Sequence, residues 1–180
     1  MNPFIRLGLG LVLLLALLTA VSFALPQHIS VVRSQVINAP EADIFPYLND
    51  LRKFNAWSPW AARDPNAVYS YSGPAQGVGA RMAWRSDDPD VGRGSQEIVE
   101  SSPNTYLKVA LEFGGREGSA ADYTLEPSGA GTKVTWGFAT DVGNNPVMRW
   151  MGLMFDGWVG ADYEAGLKRL AQRVEHGGAP

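Results

Sequence analysis

From Leu7 to Leu25 the chain is almost wholly Leu, Val, Ala, Gly and Phe, and no Asp, Glu, Lys or Arg occurs between Arg6 and Arg33. Nineteen such residues, rising about 1.5 Å each, make a helix of roughly 28 Å, close to the ~30 Å hydrocarbon core of a bilayer. A core helix of a small domain is shorter and carries a polar stripe, and this segment carries none. It is therefore expected to meet a membrane, either as an uncleaved anchor or as a signal peptide. Ser22-Phe23-Ala24 offers small residues at the spacing a signal peptidase prefers, whereas the apolar run exceeds the usual length of such a peptide. Arg6 precedes the span and the next positive residue is Arg33, which favours the N-terminus inside and the remainder outside.

The expected division is an anchor at 1–28 with its span at about 7–25, a domain at 29–176 and a tail at 177–180. Removing Arg6 from the 15 basic residues leaves 14 against 18 acidic ones, a net charge of −4 beyond the span. A mildly acidic domain has no electrostatic footprint for nucleic acid. The absence of cysteine excludes disulfides, thiolate catalysis and zinc–thiolate sites.

Ile29–Asn38 is rich in β-branched residues and reads as a first strand. Ile44, Phe45, Leu48, Leu51 and Phe54 then recur at helical spacing. Pro46 sits inside that pattern, and two short helices breaking near Asn49-Asp50 fit it better than one. Six strands follow, at about 67–71, 79–85, 94–100, 105–113, 119–126 and 132–140, punctuated by Gly, Pro, Asn and Asp. Leu107, Val109, Leu111 and Phe113 alternate with Tyr106, Lys108, Ala110 and Glu112, and Val134, Trp136 and Phe138 repeat the pattern. Short connections imply an antiparallel meander. Phe155, Val159, Tyr163, Leu167, Leu170 and Val174 form one stripe of a closing helix. The fold class is α+β, one long helix against a seven-stranded sheet.

Three local sequences carry a resemblance to a known superfamily. Ile37-Asn38-Ala39-Pro40-Glu41-Ala42-Asp43-Ile44-Phe45 is similar to its passage from first strand to first helix. Trp57-Ser58-Pro59-Trp60 with Asp64-Pro65 is similar to its tryptophan-proline-tryptophan stretch, and Phe155-Asp156 through Gly166-Leu167-Lys168-Arg169-Leu170 to its last helix. In this order they resemble the START-like helix-grip superfamily, or SRPBCC, and its polyketide cyclase/dehydrase-like branch. The resemblance spans about Val31 to Glu175 and implies a curved antiparallel sheet wrapped around the C-terminal helix. It also implies a cavity between them for lipids, sterols, polyketides or plant hormones. Some members are enzymes, and fold alone does not choose among functions.

The aromatic content points to the wall of such a cavity. Trp57, Trp60, Met82, Trp84 and Ile98 are candidates from the first half, and Leu107, Val109, Leu111, Tyr123, Trp136 and Phe138 from the later strands. Met151, Phe155 and Trp158 complete the set at the start of the last helix. Bulky aromatics fill a core as readily as they line a pocket, but together they suit an apolar pocket better than a polar active site. Gly143-Asn144-Asn145-Pro146 has the composition of a loop and lies where it would gate a cavity mouth.

No catalytic or metal-binding constellation emerges. His28 adjoins the apolar segment and His176 lies near the C-terminus, so neither suits a Ser-His-Asp triad or a histidine metal site. Gly73 to Gly79 lacks the lysine of a phosphate loop. Glu97, Glu112, Asp122, Asp141, Asp156 and Asp162 are candidate acids or bases, although Glu112 alternates away from the apolar face, as Arg81 and Arg85 do from Met82 and Trp84.

Three functions follow from these expectations. The first is a membrane-tethered module that binds a lipid or other apolar molecule, with no cofactor and no nucleic acid. The second is a cyclase- or dehydratase-like enzyme on a hydrophobic substrate, with a carboxylate or Tyr123 moving a proton. The third is a domain whose cavity is filled and whose surface binds a protein partner.

Overall fold

The computed structural model describes residues 2–177, so most of the expected tail lies outside the described residues. The apolar segment is one helix, α1 (Pro3–Ser22), capped by the Asn2 side chain on Phe4 N with Pro3 in its first turn. It is long and apolar enough to cross a membrane, with a mean hydropathy of 2.4, and all of it but Ser22 is exposed.

Strand β1 (His28–Ile37) follows, then α2 (Glu41–Asn49), α3 (Leu51–Phe54) and α4 (Pro59–Arg63). The break falls at Asp50, which is extended and turns its carboxylate onto Arg52 N at 2.9 Å, ending one helix and capping the next. The third short helix was not expected. Its signal is Ser58-Pro59, in which the serine hydroxyl accepts from Ala61 N and proline takes the first turn.

The six further strands are β2 (Val68–Ser72), β3 (Arg81–Arg85), β4 (Arg93–Ser102), β5 (Tyr106–Phe113), β6 (Arg116–Ser128) and β7 (Gly131–Asp141). With β1 they form one antiparallel sheet in the order β1-β7-β6-β5-β4-β3-β2. β1 and β2 are its two edges, so the segment α2–α4 must carry the chain across the whole sheet. It does so with its apolar side inward: Ile44, Phe45, Leu48, Leu51 and Phe54 are all buried. Register shifts between Ile98 and Glu100 and between Leu111 and Phe113 interrupt the ladder, and such irregularities bend strands.

The closing helix α5 (Pro146–Glu175) has 30 residues and begins earlier than its core stripe suggests. Asn145 accepts from Val147 N and Met148 N, both at 3.1 Å, with Pro146 in the first turn, which is the N-terminal chemistry of a helix. The stripe from Phe155 to Val174 faces inward, with Tyr163, Leu167 and Leu170 fully buried. Two glycines bring α5 close to β1: a Cβ at Gly152 would meet Ile29 Cδ1 at 2.7 Å, and one at Gly160 would meet the Arg33 guanidinium. Arg33 ties the two elements together through Asp156 at 2.9 Å and Glu164 at 2.7 Å. Its hydrogen bonds hold the Asp156 carboxyl below its ordinary value and raise the guanidinium's own.

Gly166, further along α5, backs onto the central tryptophan, Trp136. A Cβ there would lie 2.8 Å from Trp136 Cζ3 and 3.2 Å from Pro59 Cδ. The ring cannot yield, because it is stacked between Tyr163 at 3.7 Å and Tyr123 at 5.3 Å. Gly166→Ala gains up to about 1 kcal/mol of helix propensity but overpacks at about 1–3 kcal/mol. The expected result is a Tm lowered by a few degrees. A raised Tm on thermal unfolding would mean that the ring gives way.

Candidate functional site: a cavity under the first turns of the long helix

Between the inner face of the sheet and the N-terminal half of α5 lies a cavity of about 840 Å³. Its inner end is aromatic. Trp136 is 1 % exposed and meets Trp57 at 5.2 Å, Trp60 at 6.0 Å and Phe54 at 6.4 Å, besides the two stacked tyrosines. Its floor is the sheet: Met82 and Trp84 of β3, Leu111 and Phe113 of β5, Ala121 and Tyr123 of β6, and Phe138 of β7. Its roof is Met148, Phe155, Trp158 and Val159 of α5. Trp84 lies flat over Gly94, where a Cβ would sit 2.6 Å from its ring, and its indole N–H donates to the Val91 carbonyl at 3.1 Å. Glycine at 94 is thus what lets this wall lie down.

The exposed members of the lining gather at one end: Phe113 at the β5 tip, Arg116 and Glu117 beyond it, Asp141 at the end of β7, and Trp158. That end is the mouth. Asn145, from the loop expected there, and Val142 just before that loop also line it.

Among the residues expected to border a cavity, Trp60, Met82, Trp84, Leu111, Tyr123, Trp136, Phe138, Phe155 and Trp158 line this one. The others lie outside the lining. Trp57, Ile98, Leu107 and Val109 are buried in the core beyond its inner end, and the Trp57 indole N–H is spent on the Tyr47 carbonyl at 3.1 Å. Alternation could not separate them, because Leu107, Val109 and Leu111 share one face and differ only in what covers them. Met151 is half-buried on the outer side of α5.

Over residues 28–175 the sequence matches the polyketide cyclase/dehydrase and lipid transport family. The chain belongs to that family. No curated protein sequence matches it. Among solved structures, a protein from Rhizobium leguminosarum is 18% identical over 83% of this chain and 95% of its own, with a TM-score of 0.59. CV1439 from Chromobacterium violaceum is 18% identical over 81% and 96%, with a TM-score of 0.55. DynU16, from the dynemicin biosynthetic locus, is 19% identical over 83% of this chain and 48% of its own, with a TM-score of 0.56. At these identities the likeness is one of fold. It agrees with the helix-grip resemblance read from the sequence, and the family's hydrophobic-ligand fold describes this domain.

Polar groups in this polyketide cyclase-like cavity are few. Ser119 donates to Thr140 at 2.8 Å. Gln96, 6 % exposed, has its amide nitrogen 4.0 Å from Met82 Sδ. Asp162 is held by Arg63 at 2.6 Å. Asn55 donates to the Tyr71 hydroxyl at 3.0 Å, but its Oδ1 is buried without a donor, and Trp136 Nε1 is buried with no acceptor in hydrogen-bonding geometry. Burial pushes the Tyr123 and Tyr163 phenols well above their ordinary values, so both stay neutral.

The other candidate acids and bases lie outside the cavity interior. Glu97 and Glu112 pair with Arg81 on the outer face, Asp156 pairs with Arg33, and Asp141 lies 3.4 Å from His28 at the rim. Among the described residues no three His, Asp or Glu side chains come together as metal ligands.

Sequence reasoning missed one buried cation, Arg149 in the first turn of α5, which is 6 % exposed. Its guanidinium donates to six neutral oxygens. These are the carbonyls of Ser22, Phe23 and Leu25 at 3.4, 3.1 and 3.1 Å, Gly143 O at 2.8 Å, Gln27 Oε1 at 3.1 Å and Asn144 Oδ1 at 3.2 Å. It also lies over the Phe23 ring at 5.5 Å. A cation at a helix C-terminus is favoured by the dipole. Here it caps α1 from a distance of more than a hundred residues in sequence, which no local pattern could announce.

Proposed function

We propose that the protein is a membrane-tethered binding module, residues 1–28 forming the anchor and 29–176 the domain that holds a neutral, largely apolar small molecule or lipid. The domain is placed on the extracytoplasmic side. The observation that carries this reading is the cavity itself, roomy, apolar in floor and roof, and within the size range of ligand sites. The rim and wall charges are Asp90, Glu117, Asp141 and Asp162 against Arg116, which disfavours an anionic ligand such as a free fatty acid. For catalysis the interior offers a carboxylate already tied to Arg63 and phenols held neutral, while Asp90, Glu117 and Asp141 stand at the rim, so binding is the better-supported role.

The test is native mass spectrometry of the full chain released from detergent, before and after solvent extraction. A stoichiometric neutral adduct lost on extraction is expected. Ala121→Trp fills the floor with one indole, and the apolar ligand's affinity is expected to fall at least about tenfold, or ~1.4 kcal/mol. An adduct retained unchanged in Ala121→Trp, or a clean apo mass after exposure to total lipid, would overturn the reading.

A further inference from the structure

The first turns of α5 carry exposed apolar side chains on a flank beside the cavity mouth, ending at Trp158, which also lines the cavity. Val147, Met151, Met154 and Trp158 fall at steps of four, three and four and form one stripe. Val147 is 64 % exposed, Met154 46 % and Trp158 55 %, with Met151 half-buried between them. The only charges from 146 to 161 are Arg149, which is buried, and Asp156, which is engaged by Arg33. An exposed stripe of this kind marks a docking surface.

Its occupant is indicated by where α1 is fixed. Arg149 clamps the end of α1, and Trp150 Nε1 donates to the Leu18 carbonyl at 3.1 Å. The apolar surface of α1 therefore runs on directly into that of α5. Leu18 lies four residues before the end of α1 at Ser22, or about 6 Å along the axis. If α1 spans a bilayer, Trp150 sits about that far below the end of the span, within the ~5–10 Å to which interfacial helices sink. The mouth of the cavity opens beside the same surface, with the exposed aromatics Phe113 and Trp158 on its rim, and aromatic rings favour the interfacial zone.

We infer that the Val147–Met151–Met154–Trp158 face of α5 lies in the bilayer interface beside α1, so that the cavity mouth opens onto lipid rather than water. This rests on the membrane-tethered reading above and extends it: the ligand is drawn from the bilayer in which the protein stands, without crossing the aqueous phase. A domain hanging on a loose stalk would not be oriented in this way.

The cysteine-free sequence allows the test on the full chain. Single variants Val147→Cys, Met154→Cys, Lys133→Cys and Leu14→Cys are labelled with an environment-sensitive fluorophore in nanodiscs of phosphatidylethanolamine and phosphatidylglycerol. Lys133 is exposed at the opposite end of the sheet and serves as the aqueous reference, and Leu14 as the lipid reference. At 147 and 154, quenching by aqueous iodide is expected to be several-fold weaker than at 133, with strong quenching by lipids nitroxide-labelled just below the headgroup. If 147 and 154 are as open to iodide as 133 while 14 is shielded, the domain stands clear of the bilayer and the inference is overturned. If the probe at 14 is itself open to water, the inference falls together with the tether. Neither result touches the hydrophobic-ligand reading, which fails only by the absence of the adduct.

Discussion

Trp136→Ala is expected to cause the largest loss of stability of any single change in the domain, about 3–5 kcal/mol. The ring is 1 % exposed and touches side chains from four separate segments: Phe54 and Trp57, Trp60, Tyr123, and Tyr163 on α5. Aromatic pairs contribute about 0.5–1.5 kcal/mol each beyond buried area, although contacts sharing one ring do not add. For a domain of this size each kcal/mol moves Tm by about 2–4 °C, so a fall of about 6–20 °C is expected on thermal unfolding followed by near-UV circular dichroism. Trp136→Phe keeps most of the stack and removes the unpaired Nε1, and should lose well under half as much. A change in Tm below about 2 °C for the alanine variant would show that the aromatic centre rearranges freely.

Trp136 is legible in the sequence as a strand residue and a candidate for the cavity wall, but not as the centre of an aromatic cluster. Val134, Trp136 and Phe138 alternate along β7 and were legible as one inward face, as were Leu107 to Phe113 on β5. Alternation specifies a face, not a position along it. Leu107 and Val109 lie under the inner end of the sheet and are core, whereas Leu111, two residues on, borders empty space. What separates them is the path of α2–α4 and α5 over the sheet, a tertiary fact. The strand run and the break at Asp50 were readable because turn residues and caps act locally. The third short helix and the early start of α5 were announced by Ser58-Pro59 and Asn145-Pro146, both capping signals that a search for apolar stripes passes over.

The same logic explains why the core stripe of α5 begins only at Phe155 although the helix starts at Pro146. Beyond that point the helix has one apolar side against the sheet and a polar side toward water. In the first turns both the cavity side (Met148, Phe155) and the outer flank (Val147, Met154) are apolar, and a helix apolar on several sides has little moment to detect. In a soluble domain that pattern marks burial. Here the outer side is bare, which is the physical motive for giving it a bilayer.

Arg149→Met is expected to uncouple α1 from the domain and to destabilise the protein by about 3 kcal/mol. Hydrogen bonds from a charged donor contribute about 1.5–3 kcal/mol, and buried acceptors left without a donor cost about 1–3 kcal/mol. Methionine approximates the volume but donates nothing, so the carbonyls of Ser22, Phe23 and Leu25 and the oxygens of Gly143, Asn144 and Gln27 all lose their shared partner. Water can recover some of them, because the site lies near the surface, and this keeps the loss below the sum of its parts. Arg149→Lys preserves the charge with three donors in place of a five-donor fork and should recover only part of the stability. Two measurements on the full chain in detergent check the expectation. Thermal unfolding should fall by about 6–12 °C, and limited proteolysis should open a new cut between Phe23 and Gln27, where the wild-type backbone is held by the guanidinium. A helix that is only a leader to be removed needs no such clamp. If Arg149→Met leaves both the Tm and the cutting pattern unchanged, the contact with α1 carries no energy, and α1 is no more than a flexible leash.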